Sequence, residues 1–409
     1  MMTLSRRHML FGTAGAASAA VLTLPSFPSI ATASALPSTG TGTTFDSLGT
    51  TDDARVVEMN RLAAAHGGNP TLVFLFAARF HDIRTPIQLT SGLKMMSVNP
   101  TPCREFSRST VIRWIGSAGS SLFTFPSQQT NQSYPPSPAP RDVTVAGIQF
   151  DGVNPGCHFI SPTPGYTPAR VLWYCSFHDC AWRSWDTIWN GYGTGCSISG
   201  STHIQGTTGT AFTLGGSECS VFGSDAKSFV DTTASSKPFF VCHLDKSNIG
   251  NAMITSRGAA TQLEITGGRG LRVGSLEFDA QHAYPVYGAE VRITGGTGIV
   301  LRDCHFKGGM SSPANGPGGA ARNRGWIHVE GGQMIIIDGC LFERGGQNPA
   351  PETAPLVYVG PNVGDGQVRW GLNGWESFGA KAHLLQSRST QLYGHFGDPM
   401  LTVDTAAVT

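Results

Sequence analysis

The sequence predicts an all-β solenoid of short stacked strands, on three observations. Gly (52) and Pro (25) are abundant among the 409 residues while only 13% are charged, a balance foreign to helical bundles and coiled coils. Three segments superimpose, LEITGGRGLRVGSLEF (263–278), VRITGGTGIVLRDCHF (291–306) and IHVEGGQMIIIDGCLF (327–342), starting 28 and then 36 residues apart. Within each, apolar residues alternate along a strand, a Gly-Gly turn follows, and a second strand ends in Phe, the period-2 signature of one buried face. Repeats of this length stack into coils about 4.8 Å apart. A β-propeller also repeats short strands and is the alternative architecture.

Residues 1–35 read as an export address kept out of the fold. SRRHML (5–10) precedes a weakly apolar, Gly- and Ala-rich run to Leu24 and a small-residue stretch ending at Ala35, which resembles a twin-arginine signal peptide. The run is too short for a membrane span, so the expectation is a secreted protein without membrane attachment after cleavage. Removing Arg6 and Arg7 from the 28 basic residues leaves 26 against 27 acidic ones, no surplus for nucleic acid. Residues 36–50 read as a linker and 51–404 as the solenoid, including an N-terminal cap over 51–100. Thr51-Asp52-Asp53 starts an amphipathic helix carrying Val56, Val57 and Leu62, closed by Gly67-Gly68. Residues 72–76 and 87–98 read as the first strands. The Phe-ending pattern recurs at Phe150 and, more weakly, at Phe177, so that Phe150, Phe177, Phe278, Phe306 and Phe342 are expected to form inward columns. Looser strands are expected around Ile198, Val221, Leu244, Trp370 and Leu392.

The capping helix, TPIQLTSGL (85–93), VIRWIG (111–116) and the Phe-ending coils together resemble the pectate-lyase-like superfamily over roughly residues 45–400. That resemblance implies a single-stranded right-handed parallel β-helix. It implies a carbohydrate-active protein, since the superfamily holds polysaccharide lyases, glycoside hydrolases, epimerases, phage tailspikes and adhesins, and it leaves a homotrimer open.

Irregular segments follow each Phe, so they are expected to leave from one corner and wall a groove. The residues that open them, Asp151, His178, Asp279, Lys307 and Glu343, line its edge. Asp279 and Glu343 are expected about 9–10 Å apart with Lys307 between them, a spacing suited to an inverting glycosidase pair; a solvated ladder of alternating charge is the plainer reading. IDGCLF (337–342) is similar to the pectate-lyase segment that presents a calcium-binding Asp, with Gly339 where that segment has His. In a lyase, Asp303 and Asp338 would hold Ca²⁺, with Arg302 and His305 beside the sugar; otherwise these residues satisfy local turns. A hydrolase would need no cofactor. Trp182, Trp185, Trp189 and Tyr192, with His178 and Asp179, are the candidate sugar-binding residues, because flat amphipathic rings stack on sugar faces; the alternative is that they pack the segment onto the barrel.

No G-x-S-x-G, H-E-x-x-H, P-loop or EF-hand pattern occurs, nor the Asn-Thr-Asp series of polygalacturonases. The nine cysteines include no CxxC pair. Cys304 and Cys340 occupy equivalent repeat positions, compatible with a disulfide or with stacked free thiols, and Cys175 with Cys180 could close a short loop. The chain therefore reads as a secreted hydrolase or lyase acting on a polysaccharide, with a non-catalytic carbohydrate-binding, tailspike-like adhesion protein as the rival.

Overall fold

The computed structural model describes residues 42–66, 72–99, 110–125, 140–162, 171–222, 228–231, 237–255, 261–279, 289–307, 326–343, 355–376, 382–394, 396 and 401–405. Residues 1–35, expected as a signal peptide, and most of the segments expected to wall a groove, 163–170, 280–288, 308–325 and 344–354, lie outside them. Among the described residues no helix is long and apolar enough to cross a membrane.

All strand pairs are parallel between successive coils, which makes the chain a parallel β-helix. Each coil has three sides. Two belong to one 22-stranded sheet and form two separate ladders; the third is a three-stranded sheet in the first coils and a ten-stranded one from Val171 onward. A single residue in the left-handed region turns the chain between the two ladders: Asp179, Asn251, Ser275 and Asp303 have φ of 50–56°, and Gly339 has φ of 66°. Asn and Asp tolerate this conformation and Gly adopts it freely, so these positions turn where β-branched residues would strain.

The second ladder carries the inward column that positions the site. Ile112, Phe150, Trp182, Ile204, Val230, Ile254, Phe278, Phe306, Phe342 and Trp375 are register partners from coil to coil. Phe278 and Phe306 stack with ring centroids 4.9 Å apart, and Phe306 and Phe342 4.8 Å apart. Equal side chains at one coil spacing meet face to face and fill the same slice of core, which is why the Phe repeat was visible.

Phe177 does not belong to this column. It lies in the first ladder between Val145 and Ile198, and Trp182 holds the second-ladder position of that coil. Residues 178–195 are accordingly no irregular loop: they contain the strands Ala181–Arg183 and Trp189–Thr194. Both ladders of a coil end in an apolar-x-apolar pattern, so the pattern alone does not say which ladder a segment occupies.

The cap forms as expected, with corrections at its margins. The helix spans Asp52–His66, Ala54 N donates to Thr51 Oγ1 at 3.2 Å, and Val56, Met59 and Ala63 are buried, whereas Val57 is exposed. Among the described residues strand pairing begins at Thr43–Thr44, which joins Phe74–Leu75, and Phe45 is buried against Phe76 at 4.3 Å, so residues 43–48 of the stretch expected as a linker already belong to the fold, while 36–41 lie outside the described residues. The eight described cysteines are free and buried. Cys304 and Cys340 stack without a bond, each Sγ facing backbone carbonyls such as those of Arg302 and Asp338. Cys175 and Cys180 belong to different columns rather than closing a loop.

Candidate active site

The outward residue after each member of the second-ladder column forms a charged row. It begins with Asp82, Arg113, Asp151 and Arg183, closed by the pairs Arg113–Asp82 at 2.6 Å and Arg183–Asp151. It resumes as Asp279, Lys307, Glu343 and Glu376. Asp279, Lys307 and Glu343 are thus consecutive, with the lysine between the two acids as the repeats imply. His178 is not in the row; Arg183 holds that place in its coil.

The row is tied together by diagonals. Lys307 Nζ donates to Glu277 Oε1, and this hydrogen bond, opposed by burial and supported by the charges of Glu277, Asp279 and Glu343, raises the ammonium above its usual range. His305 Nε2 meets Glu343 Oε2 at 3.1 Å. The side chains of Lys307 and Glu343 are 24% and 28% exposed, whereas Asp279 is buried at 5%.

The residue that the sequence reading missed is Glu290. It directly precedes the third-side strand Val291–Ile293 and is 1% exposed, and neither carboxyl oxygen makes a hydrogen bond among the described residues. Burial, and secondly the negative charge of Asp279, push its carboxyl well above the usual glutamate range. Its register neighbours are Gln262, also fully buried with both amide atoms unpartnered, and Trp326; the backbone of both Gln262 and Leu263 donates to Glu290 O, at 3.2 and 2.9 Å. These surroundings favour the neutral acid, because an unpaired buried charge is far costlier than a neutral carboxyl. The signal was in the repeats: Gln262, Glu290 and Trp326 stand at one position before Leu263, Val291 and Ile327. An ionisable residue in a buried column that also holds Phe239, Gln262, Trp326 and Leu356 is the anomaly.

The other expected residues are used structurally. Trp182 and Trp185 are fully buried and Trp189 is 3% exposed, so the three indoles are core and do not present faces to a sugar; Trp185 Nε1 donates to Phe150 O at 3.0 Å. Tyr192 is half-buried on the third side, away from the charged row. His178 Nε2 meets Asp179 Oδ2 at 2.9 Å and its Nδ1 meets Ser199 Oγ at 3.1 Å, while Ser201 N donates to Asp179 Oδ1 at 2.6 Å. The two therefore brace the corner between the ladders rather than a second-ladder groove.

Asp303 is the left-handed corner residue of its coil. Asp338 is taken by Arg302, at 3.2 Å, and by Leu372 N, at 3.0 Å. The two do not gather a third acidic, His or Cys ligand among the described residues. The one such group there is Asp46, Asp52 and His81 in the cap. Its carboxylates already hold Arg55 and Arg79; burial would raise Asp52, but these guanidinium donors bring it down to about 2. Cations of the protein itself fill that cluster.

The fold has clear counterparts. DFA-IIIase from Arthrobacter chlorophenolicus A6 without its lid, in complex with GF2, is 12% identical, with 91% of this chain and 100% of that chain covered at a TM-score of 0.61. The A-module of Azotobacter vinelandii mannuronan C-5 epimerase AlgE4 is 11% identical over 88% and 99%, at 0.52. A tailspike protein mutant of E. coli bacteriophage HK620, in complex with a pentasaccharide, is 10% identical over 86% and 61%, at 0.55. No protein-family model and no curated protein matches the sequence. At these identities the likeness is one of fold.

Proposed function

We propose that this chain, a right-handed parallel β-helix of the pectate-lyase-like fold, cleaves glycosidic bonds in a neutral polysaccharide with Glu290 as general acid and Asp279 as its carboxylate partner. The observation that carries this reading is the buried carboxyl of Glu290, which has no hydrogen-bond partner among the described residues and is raised by burial and by the charge of Asp279. Glycoside cleavage uses a pair of carboxyl groups, and the one held neutral by its surroundings serves as the acid. Glu290 gives its proton to the leaving oxygen as the C–O bond breaks, and Asp279 takes a proton from the water that attacks the anomeric carbon. Lys307 and Glu343 continue the row into solvent and belong to substrate contact rather than to proton transfer.

Among the described residues, Asp279, Glu343 and Glu376 in this row and Glu277 beside it outnumber Lys307, so a polyuronate would meet net like charge there. That favours a neutral glycan over a uronate, and acid-assisted hydrolysis over calcium-assisted elimination. Structurally similar proteins include a DFA-IIIase bound to GF2 and a tailspike bound to a pentasaccharide, which supports action on carbohydrate. Export through the twin-arginine pathway fits a polymeric substrate outside the cytoplasm.

The test follows reducing ends and the ultraviolet absorbance of unsaturated sugar ends while the protein is incubated with neutral and acidic polysaccharides. Reducing ends alone, from a neutral polymer, with Glu290→Gln and Asp279→Asn each slowed at least about 100-fold, are expected. Unsaturated ends lost on EDTA treatment, full turnover by either variant, or binding without cleavage would overturn it, the last in favour of an adhesion protein.

A further inference from the structure

A polar hollow lies at the corner where the third side turns into the first ladder. It is open to solvent, has a volume of about 550 Å³ and is lined by Gly296, Thr297, Gly332, Gln333, Asn362, Gly364 and Gln367. We infer that this hollow is a binding site for a neutral oligosaccharide chain, separate from the Asp279–Glu290 pair and independent of whether that pair is catalytic.

The floor and walls are built, not incidental. Gly296 and Gly332 have φ of 103° and 102° and stack so closely that a Cβ on Gly332 would lie 3.0 Å from Gly296 O. The floor is therefore bare backbone that a ligand can approach. Thr297 and Gln333 are bridged coil to coil, placing a hydroxyl and an amide one coil spacing apart. The outer wall is pinned from behind: Gln391 Nε2 donates to Gly360 O at 2.8 Å and to Val363 O at 2.7 Å, and Arg388 Nη2 donates to Val363 O at 2.6 Å. Gln367 is fixed by accepting from Met334 N at 3.1 Å.

The lining holds no charged side chain, and the amides of Gln333 and Asn362 are exposed and form no hydrogen bond among the described residues. Amides carry both donors and acceptors, which matches vicinal sugar hydroxyls, and the lining supplies no cation to pair with a carboxylate or phosphate. Met334 beside them is 65% exposed and offers an apolar surface for a sugar face. Rigid walls leave little ordering cost on binding.

The experiment titrates the full-length protein carrying Glu290→Gln, so that no ligand is consumed, with maltohexaose, xylohexaose, an inulin-type oligofructan and hexagalacturonate by calorimetry. The expected result is binding of at least one neutral oligosaccharide, weakened about tenfold by Gln333→Ala with Asn362→Ala, with hexagalacturonate failing to bind here. The same double variant on the wild-type background should raise KM for the polymer and leave kcat for a short substrate unchanged. Neutral ligands that bind with undiminished affinity to the double variant, no binding by any of them, or hexagalacturonate bound equally well would overturn the inference. Those outcomes leave the effect of Glu290→Gln on turnover untouched, so the two readings fail separately.

Discussion

Phe306 lies on Phe342 with centroids 4.8 Å apart and ring planes 7° from parallel, and the residues that follow them, Lys307 and Glu343, are register partners in the charged row. Core stacking thus fixes the spacing of the surface chemistry. Phe306→Ala should cost about 3–5 kcal/mol, the range for emptying a buried phenylalanine site, read as a lower denaturation midpoint. Phe306→Leu should cost less and keep Lys307 in register, so its activity should stay near that of the parent.

Glu290 should make stability fall with pH. Its folded carboxyl titrates well above the ordinary value of 4.5. Between the two, the folded state binds one proton more than the unfolded chain. Stability is therefore fully present below pH about 4.5 and is lost as pH rises towards the folded value, by about 1.4 kcal/mol per pH unit from this group. Glu290→Gln removes that slope. The variant's melting temperature relative to the parent should rise between pH 5 and pH 7, and a difference that stays flat would mean that the group is ionised in the folded protein.

Trp185→Phe should lower stability by about 1–3 kcal/mol, from the lost hydrogen bond to Phe150 O and the volume left behind. KM should not change, because the indole is wholly enclosed. A large rise in KM with unaltered melting would return the indole to substrate contact.

Gly339→Ala should destabilise by about 1–2 kcal/mol from the left-handed backbone alone. The added Cβ would also lie 2.4 Å from Asp303 Oδ1. Combining it with Asp303→Gly should recover the steric part of the loss and not the backbone part, so thermal melts of the two single variants and the double should be non-additive.

The coil architecture was legible because Phe278, Phe306 and Phe342 repeat both in type and in spacing, and a parallel stack turns that repetition into contact. Phe177 misled because its strand belongs to the first ladder, and only coil-to-coil hydrogen bonding separates the two ladders. The tryptophans at 182, 185 and 189 cluster in sequence, which suggested a surface platform; period-2 alternation within Ala181–Arg183 and Trp189–Thr194 turns 182 and 189 inward instead. Asp338-Gly339 resembled a calcium motif with Asp303 as its second ligand, yet Asp303 and Gly339 share a corner that demands positive φ. Glu290 was the costliest omission: its meaning comes from burial and from Asp279 one corner away, and neither follows from residue type.

Because each turn of the chain joins its neighbours only through matching strand edges, residues 291–326 amount to a removable storey. A lineage that lost them as a block would leave the strands on either side able to meet, with Glu343 next to Asp279 and the lysine gone. Gene rearrangement could thus exchange the immediate neighbours of Asp279 in whole steps, without inventing a new core.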